Sequence, residues 1–327
     1  MFETPILLLV FNRPQETSIV FEAIRKIKPA HLYIAADGPR KEKGGEKELC
    51  DAVQEIVHNI DWKCSVKTLI RDTNLGCRKA VSEAIAWFFT EVEQGIILED
   101  DCLPDESFFY YCEELLEKYK DDERIISIGG TNLGYTFKEE QSFGFSKFMN
   151  MWGWATWRRA SILVDYKLET WKNTFLKKLF LQRKLQDNLF DVDYNWIKYW
   201  NNYFTLTAAG KIDTWDYQWI FTQLYYNKLS VFPAKNLVKN IGFSGSATHT
   251  FHPGHPVSEL QLSPISFPLK IPPAISVDME YENDFIKKIW FSYRRDSLYR
   301  ILRSDFLNNS RVLKIITFFR KSNFNKV

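Results

Sequence analysis

Between Pro5 and Gly130 a single pattern repeats: an apolar run of strand length, a polar break, then a stretch whose apolar residues recur at helical spacing. The spacing predicts strands over Ile6 to Phe11, His31 to Ala36, Val66 to Ile70, Gly95 to Leu98 and Ile125 to Ile128. It predicts helices near Gln15 to Ile27, Glu46 to Asn59, Arg78 to Phe89 and Glu106 to Tyr119. Strands that alternate with helices imply an α/β fold whose mostly parallel central sheet is flanked by helices on both faces. At 327 residues the chain is long enough for one large domain of this kind or two smaller ones.

In such a sheet, ligands bind at the carboxyl ends of the strands. Those ends carry Asn12-Arg13, Asp37-Gly38, Arg71-Asp72 and Glu99-Asp100-Asp101. Three adjacent acids repel one another and lose hydration when packed, so a fold keeps them at a strand end mainly when a divalent cation binds there. An acidic turn capping the helix near Asp105 explains the tripeptide as well, and from it alone both readings stay open. Four polar clusters on one edge argue for a site more strongly than any one of them. Asn74-Leu75-Gly76-Cys77-Arg78-Lys79 ends the third strand and opens a helix, so its amides and Arg78 suit an anion, or serve as turn and cap.

Hydrophobic content of 45% and charged content of 26% are those of an ordinary globular protein, and a net charge of +2 argues against a general nucleic-acid binder. Five cysteines without a Cys-x-x-Cys pair suggest free thiols in a reducing compartment. The first apolar run is broken at Asn12 and Arg13, too soon for a signal peptide or a membrane span, so a cytoplasmic setting is expected. No Gly-x-Gly-x-x-Gly follows the first strand and no Gly-x-x-x-x-Gly-Lys-Ser/Thr occurs, which sets aside dinucleotide oxidoreductases and P-loop NTPases.

After Gly130 the texture changes. Phe143 to Trp157 and Trp196 to Tyr226 are crowded with aromatics, whose faces stack on sugar rings but whose area also makes them core material. Six prolines between Pro253 and Pro273 suggest an extended crossing segment or a surface loop. From Ile286 onward, eleven Lys/Arg stand against two acids, interleaved with apolar residues. Such a tail suits amphipathic helices on an anionic membrane surface, or a helix docked on the protein with a solvated basic face. His249, His252 and His255 recur every third residue, but Pro253 interrupts any helix that would align them.

Several of these segments, taken as an ordered set, resemble GT-A glycosyltransferases. They are Pro5 to Pro14, the Ala36-Asp37-Gly38-Pro39 break, Leu98-Glu99-Asp100-Asp101 with Pro104-Asp105-x-x-Phe108-Phe109, Gly153-Trp154-Ala155-Thr156-Trp157 and Trp215-Asp216-Tyr217-Gln218-Trp219. The set is most similar to the inverting Golgi N-acetylglucosaminyltransferase family and its bacterial nucleotide-diphospho-sugar transferase relatives, over roughly residues 5 to 245. The resemblance implies a nucleotide-sugar-binding half over 1–130 and an acceptor-binding and catalytic half over 131–250, and composition beyond it marks a Pro-rich crossing segment over 251–280 and basic amphipathic helices over 281–327. It implies that Arg13 faces the diphosphate and that Asp37 accepts a hydrogen bond from the base. Glu99 and Asp100 hold the nucleotide, with Arg78 a minor contact, and Asp101 ligates Mn2+ or Mg2+, with His249 reaching the metal or diphosphate. Trp154, Trp215 and Trp219 line the acceptor, and Asp216 is the catalytic base. The family has two adjacent acids where this chain has Asp216-Tyr217, so Asp216 fills either the base position or its neighbour.

The expected activity is metal-dependent inverting transfer of a sugar, N-acetylglucosamine or a close analogue, from a UDP-sugar to a glycan or lipid-linked acceptor in polysaccharide biosynthesis. The expected setting is the cytoplasm, peripheral to the inner face of the cell membrane. Two rivals remain. A sugar nucleotidyltransferase expects a Gly-rich loop after the first strand, where Phe11-Asn12-Arg13-Pro14 supplies the Arg alone. A non-catalytic glycan-binding protein has no need of Asp101 and Asp216.

Overall fold

The computed structural model of the chain describes residues 1–138, 140–185, 194–242 and 256–288. Residues Met1–Glu282 form one compact unit and Asn283–Val327 group separately. Most of the expected basic tail lies outside the described residues, as does His249.

The first part of the chain runs β1 (Ile6–Val10), α1 (Pro14–Ile27), β2 (His31–Ala36), α2 (Glu46–His58), β3 (Ser65–Ile70), α3 (Cys77–Glu91) and β4 (Gln94–Glu99). A short β5 (Cys102–Pro104), α4 (Glu106–Lys118) and β6 (Ile125–Gly129) follow. Every strand and helix expected before Gly130 is present, with ends shifted by at most two residues. Local chemistry explains the ends. Pro14 stands in the first turn of α1, where its missing N–H costs nothing, and Lys28 closes that helix in the left-handed region at φ 52°. Asp105 caps α4 by accepting from the Ser107 amide at 2.9 Å. The cap is thus one residue beyond Pro104, and the acids at 99–101 are not needed for it.

The later part supplies β7 (Phe143–Ser146), β8 (Trp154–Trp157), α5 (Arg158–Ser161), α6 (Glu169–Asn173), α7 (Lys177–Leu185), α8 (Tyr194–Ala208), α9 (Asp216–Tyr225), β9 (Leu229–Pro233) and β10 (Val238–Asn240). One sheet of order β3-β2-β1-β4-β8-β6-β9-β7 joins both halves. β3, β2, β1 and β4 are parallel, β8 runs antiparallel between β4 and β6, β9 is parallel to β6, and β7 reverses at the edge. The sheet is therefore mostly parallel and flanked by helices, with β8 inserted in reverse at its centre.

Alternate residues of the central strands feed different layers. Ile6, Leu8, Ile34, Ile96 and Leu98 join Val20, Phe21 and Ile24 of α1, Val53 of α2, and Phe108, Phe109 and Leu115 of α4 in one core. On the opposite face, Tyr33 meets Phe88 of α3 edge-on at 4.9 Å between ring centres. The described part of the Pro-rich segment bonds to several strands and loops of the fold. Ser263 N donates to Asn236 O at 2.9 Å, Lys270 N to Ser142 Oγ at 2.8 Å and Asp278 N to Phe145 O at 2.8 Å, while Ile265 and Leu269 are buried. No helix among the described residues is long and apolar enough to cross a membrane.

Candidate active site

The pairing of β1 with β4 sets Leu9 opposite Glu99, so the residues leaving each strand, Phe11 to Arg13 and Asp100 to Asp101, lie side by side. Arg13 Nη1 donates to Asp101 Oδ2 at 2.6 Å and to Asp100 Oδ1 at 3.5 Å, and the Phe11 amide donates to Asp100 Oδ2 at 3.2 Å. Asp100 and Asp101 are both buried. Burial works against the charge on Arg13, but Asp100 and Asp101 outweigh it and raise its pKa. Burial, then the neighbouring Asp101, pushes the Asp100 carboxyl up to about 7 against the pull of Arg13.

Behind these acids, β10 pairs antiparallel with β5, Asn240 opposite Cys102. Ile241 N donates to Asp101 O at 2.8 Å, and Gly242 lies so close to the Asp101 carboxylate that a Cβ there would collide with Oδ2.

Strand alternation turns Glu99 to the other face, that of Ile97 and α3. Burial raises its pKa well above the usual carboxylate range, and Asp101, Asp100 and Asp216 add to the shift. The fold therefore brings Asp216, the first residue of α9, into the field of the acidic strand end. Asp216 is half-buried, and its Oδ1 accepts from the Thr214 hydroxyl and from the Tyr217 amide at 2.9 Å. These bonds hold the carboxylate in one orientation.

A residue that sequence reasoning missed fixes the approach of α9. Asp213 Oδ2 accepts from Cys77 N at 3.0 Å and Oδ1 from Arg78 N at 3.2 Å, capping α3 from a segment 136 positions away. Of the two readings of the 74–79 turn, the cap is seen, with the carboxylate of Asp213 on its amides. Gly76 permits it: φ is +81°, and a Cβ would stand 2.7 Å from Asp213 Oδ2. The glycine in the turn was the available signal, but nothing in the sequence links it to position 213. Arg78 lies one residue inside this cap.

Asp37, also half-buried, spends its carboxylate locally. It accepts from Asn74 Nδ2 at 2.8 Å, Leu75 N at 3.0 Å and Gly38 N at 3.0 Å, tying the loop after β3 to the end of β2. Burial raises its pKa and these amides oppose the rise. Glu46 was likewise missed. It accepts from Arg40 Nε at 2.9 Å, Arg40 N at 2.8 Å and Asn12 Nδ2 at 2.8 Å, so it anchors the loops after β1 and β2.

Trp154, Trp215 and Trp219 do come together, but as core. Trp154 stacks on Trp215 at 5.7 Å and meets Trp219 edge-on at 4.8 Å, with exposures of 1%, 3% and 0%. The stacking faces expected for an acceptor sugar are covered in this structure, and Trp154 packs against Trp215 and Trp219 at the first turn of α9. Half-buried Tyr203 packs on Tyr217 at 5.0 Å instead.

Among the described residues no group of three or more His, Cys, Asp or Glu is arranged to hold a metal ion. The donor set suits a different mode. Asp101 is an all-oxygen, hard donor at a strand end beside a phosphate-binding type of cation, as fits Mg2+ or Mn2+ held by one carboxylate with the remaining positions given to phosphate and water.

No family model matches the chain, and no curated protein matches it. Solved structures similar to it include apo UDP-glucose pyrophosphorylase, with 10% identity, a TM-score of 0.36 and coverage of 72% of this chain and 93% of that one. Mouse xyloside xylosyltransferase 1 aligns with 10% identity, a TM-score of 0.33 and coverage of 69% and 82%. The galactosyltransferase LgtC, in complex with donor and acceptor sugar analogues, aligns with 8% identity, a TM-score of 0.32 and coverage of 68% and 70%. Likenesses of this strength identify neither a family nor an activity for the chain.

Proposed function

We propose that the chain is a metal-dependent glycosyltransferase that moves a sugar, N-acetylglucosamine or a close analogue, from a UDP-sugar to a glycan or lipid-linked acceptor with inversion at the anomeric carbon. The observation that carries this reading is the meeting of two distant segments. Arg13 and Asp101 form a cation–carboxylate pair at the end of β4, and Asp216 enters the same acidic field from α9.

In this reading the diphosphate of the donor displaces Asp101 from Arg13, whose planar guanidinium binds phosphate oxygens through paired N–H groups. Asp101, released from that pair, would be the residue to hold Mn2+ or Mg2+, and the ion would supply charge neutralisation for the diphosphate. Glu99 and Asp100 border the nucleotide, and the Asp37-pinned loop walls its base. Asp216 removes the proton from the acceptor hydroxyl as that oxygen attacks the anomeric carbon, and the bond to the diphosphate breaks on the opposite side. Asp213 keeps Asp216 at the correct height by fastening its loop to α3.

A panel of nucleotide sugars, scored for hydrolysis or transfer with and without Mn2+, tests the reading. One donor should be turned over in a metal-dependent way, and Asp216→Asn should lower kcat by about 100- to 10,000-fold with donor binding retained. Unchanged turnover in Asp216→Asn removes that residue from the mechanism, and metal-independent turnover removes Asp101 as a ligand.

A further inference from the structure

α9 is buried along most of its length, and its ring contacts are of a kind that does not fix where a helix lies. Phe221 meets Trp171 at 5.9 Å and Phe204 at 5.4 Å between ring centres, and Trp219 meets Trp154 at 4.8 Å. Burial of such rings is non-directional, so a helix held by it alone turns or slides at small cost. One residue departs from the pattern. Gln223 is 0% exposed, and a buried amide is costly unless both of its ends are bonded.

The sheet bonds both ends. Ser127 of β6, Ser230 of β9 and Ser146 of β7 stand in register, so three buried serines form a row across neighbouring strands. Ser230 Oγ donates to Gln223 Oε1 at 3.1 Å, and Gln223 Nε2 donates to Ser146 O at 2.9 Å. A hydroxyl has one proton, and Ser230 spends its own on Gln223. In the 2.6 Å contact between Ser127 Oγ and Ser230 Oγ the donor is therefore Ser127. The anchor is itself fixed. Ser146 Oγ donates to Glu282 Oε1 at 2.6 Å and accepts from Phe148 N at 2.9 Å, while Lys147 N donates to Glu282 Oε1 at 2.6 Å. Hydrogen bonds are directional, so these leave the Gln223 amide one orientation against the strands.

Asp216 opens the same helix seven residues earlier. Seven residues are two turns and about 10 Å of axis, and side chains at that spacing leave a helix within about 20° of the same direction. A rotation of α9 that breaks the Gln223 bonds therefore swings Asp216 through the same angle. The bonds from the Thr214 hydroxyl and the Tyr217 amide orient the carboxylate within its own turn, and Asp213 ties the preceding loop to α3. Gln223 is what joins α9 to β7 and β9.

We infer that Gln223 is a positioning residue, whose bonds to Ser146 and Ser230 set the rotation and height of α9 on the sheet and thereby aim the Asp216 carboxylate. The inference rests on the reading of Asp216 as the base and deepens it by naming what holds that base in place.

Gln223→Met keeps the length and volume of the side chain and removes both bonds. In the full chain it should lower kcat about 10- to 100-fold, the cost of a misplacement on the order of 1 Å, with the donor KM and the affinity for UDP with Mn2+ within about twofold of wild type. Ser230→Ala takes away one of the two bonds and should lower kcat less. Added to Gln223→Met it should lower kcat no further, because the bond it removes is already gone. Amide hydrogen exchange read by mass spectrometry should quicken in the peptides of α9 and keep wild-type rates in β1 to β4. Unchanged kcat in Gln223→Met overturns the inference. So does a fall in kcat matched by an equal loss of UDP affinity, which marks a general loss of structure, and so does full additivity of the two substitutions. Should Gln223→Met not fold, Ser230→Ala decides by the same split between kcat and UDP affinity. Failure of the transferase reading is a separate result, seen as wild-type turnover in Asp216→Asn or as no donor turned over at all. The exchange rates then decide alone: quicker exchange in α9 of Gln223→Met supports the tether, and unchanged exchange overturns it.

Discussion

Arg13 is held between two buried carboxylates, and its removal leaves Asp100 and Asp101 facing each other without a cation. Arg13→Ala should therefore lower stability by roughly 1–3 kcal/mol in urea denaturation, less than for a fully buried pair because the guanidinium keeps some contact with solvent. The same variant should weaken UDP binding, since the carboxylates left behind repel a diphosphate. Arg13 and the acids were legible from the sequence because each stands directly after a predicted strand, where the fold rule puts ligands. Asp216 was legible only through the Trp-Asp-x-x-Trp resemblance. Its electrostatic influence on Glu99 spans 117 positions of the chain, which no local pattern encodes.

Among elements, the N-termini of α2 and α3 are each stabilised by a carboxylate that also shapes the site. Arg40, followed by the Arg40 amide and Asn12, holds Glu46 down to about 2 despite its burial. A carboxyl with a depressed folded pKa stabilises the fold above its ordinary pKa, near 4.5, and loses that contribution as pH falls towards 2. Glu46→Gln should cost roughly 1–3 kcal/mol at pH 7. The difference from wild type should shrink as pH falls below about 4.5 and become small only below about 2, measured by denaturation across that pH range. Asp213→Ala should destabilise by about 1 kcal/mol through the lost cap of α3. It should also lower kcat with little change in the donor KM, because the loop carrying Asp216 loses its tether. Gly76→Ala should reproduce both effects, since a side chain there meets Asp213 and must adopt a positive φ. A cap formed between such distant segments is invisible to sequence patterns, which read Ser, Thr, Asp or Asn only next to the helix they cap.

At the scale of the whole molecule, the alternating first half fixed its own architecture, and the aromatic half did not. β7, β8 and β9 are four or five residues long and rich in Phe and Trp, so their run lengths do not separate strand from buried loop. β8 enters the sheet in reverse just after Gly153, φ +61°, where Val238 leaves no room for a side chain. The aromatics that suggested sugar stacking are largely the packing that joins the halves. Trp154→Ala should accordingly cost about 3–5 kcal/mol in denaturation and disturb Asp216 indirectly, through lost packing on Trp215 and Trp219 at the start of α9.

The central claim is that the Arg13–Asp101 pair opens to take a diphosphate together with a divalent cation. Calorimetric titration of UDP into the wild type and Asp101→Asn, each with and without Mn2+, tests it most directly. The account predicts binding to the wild type that strengthens markedly with Mn2+, and no Mn2+ effect in Asp101→Asn. UDP binding that is absent, or that responds to Mn2+ equally in both proteins, would contradict it.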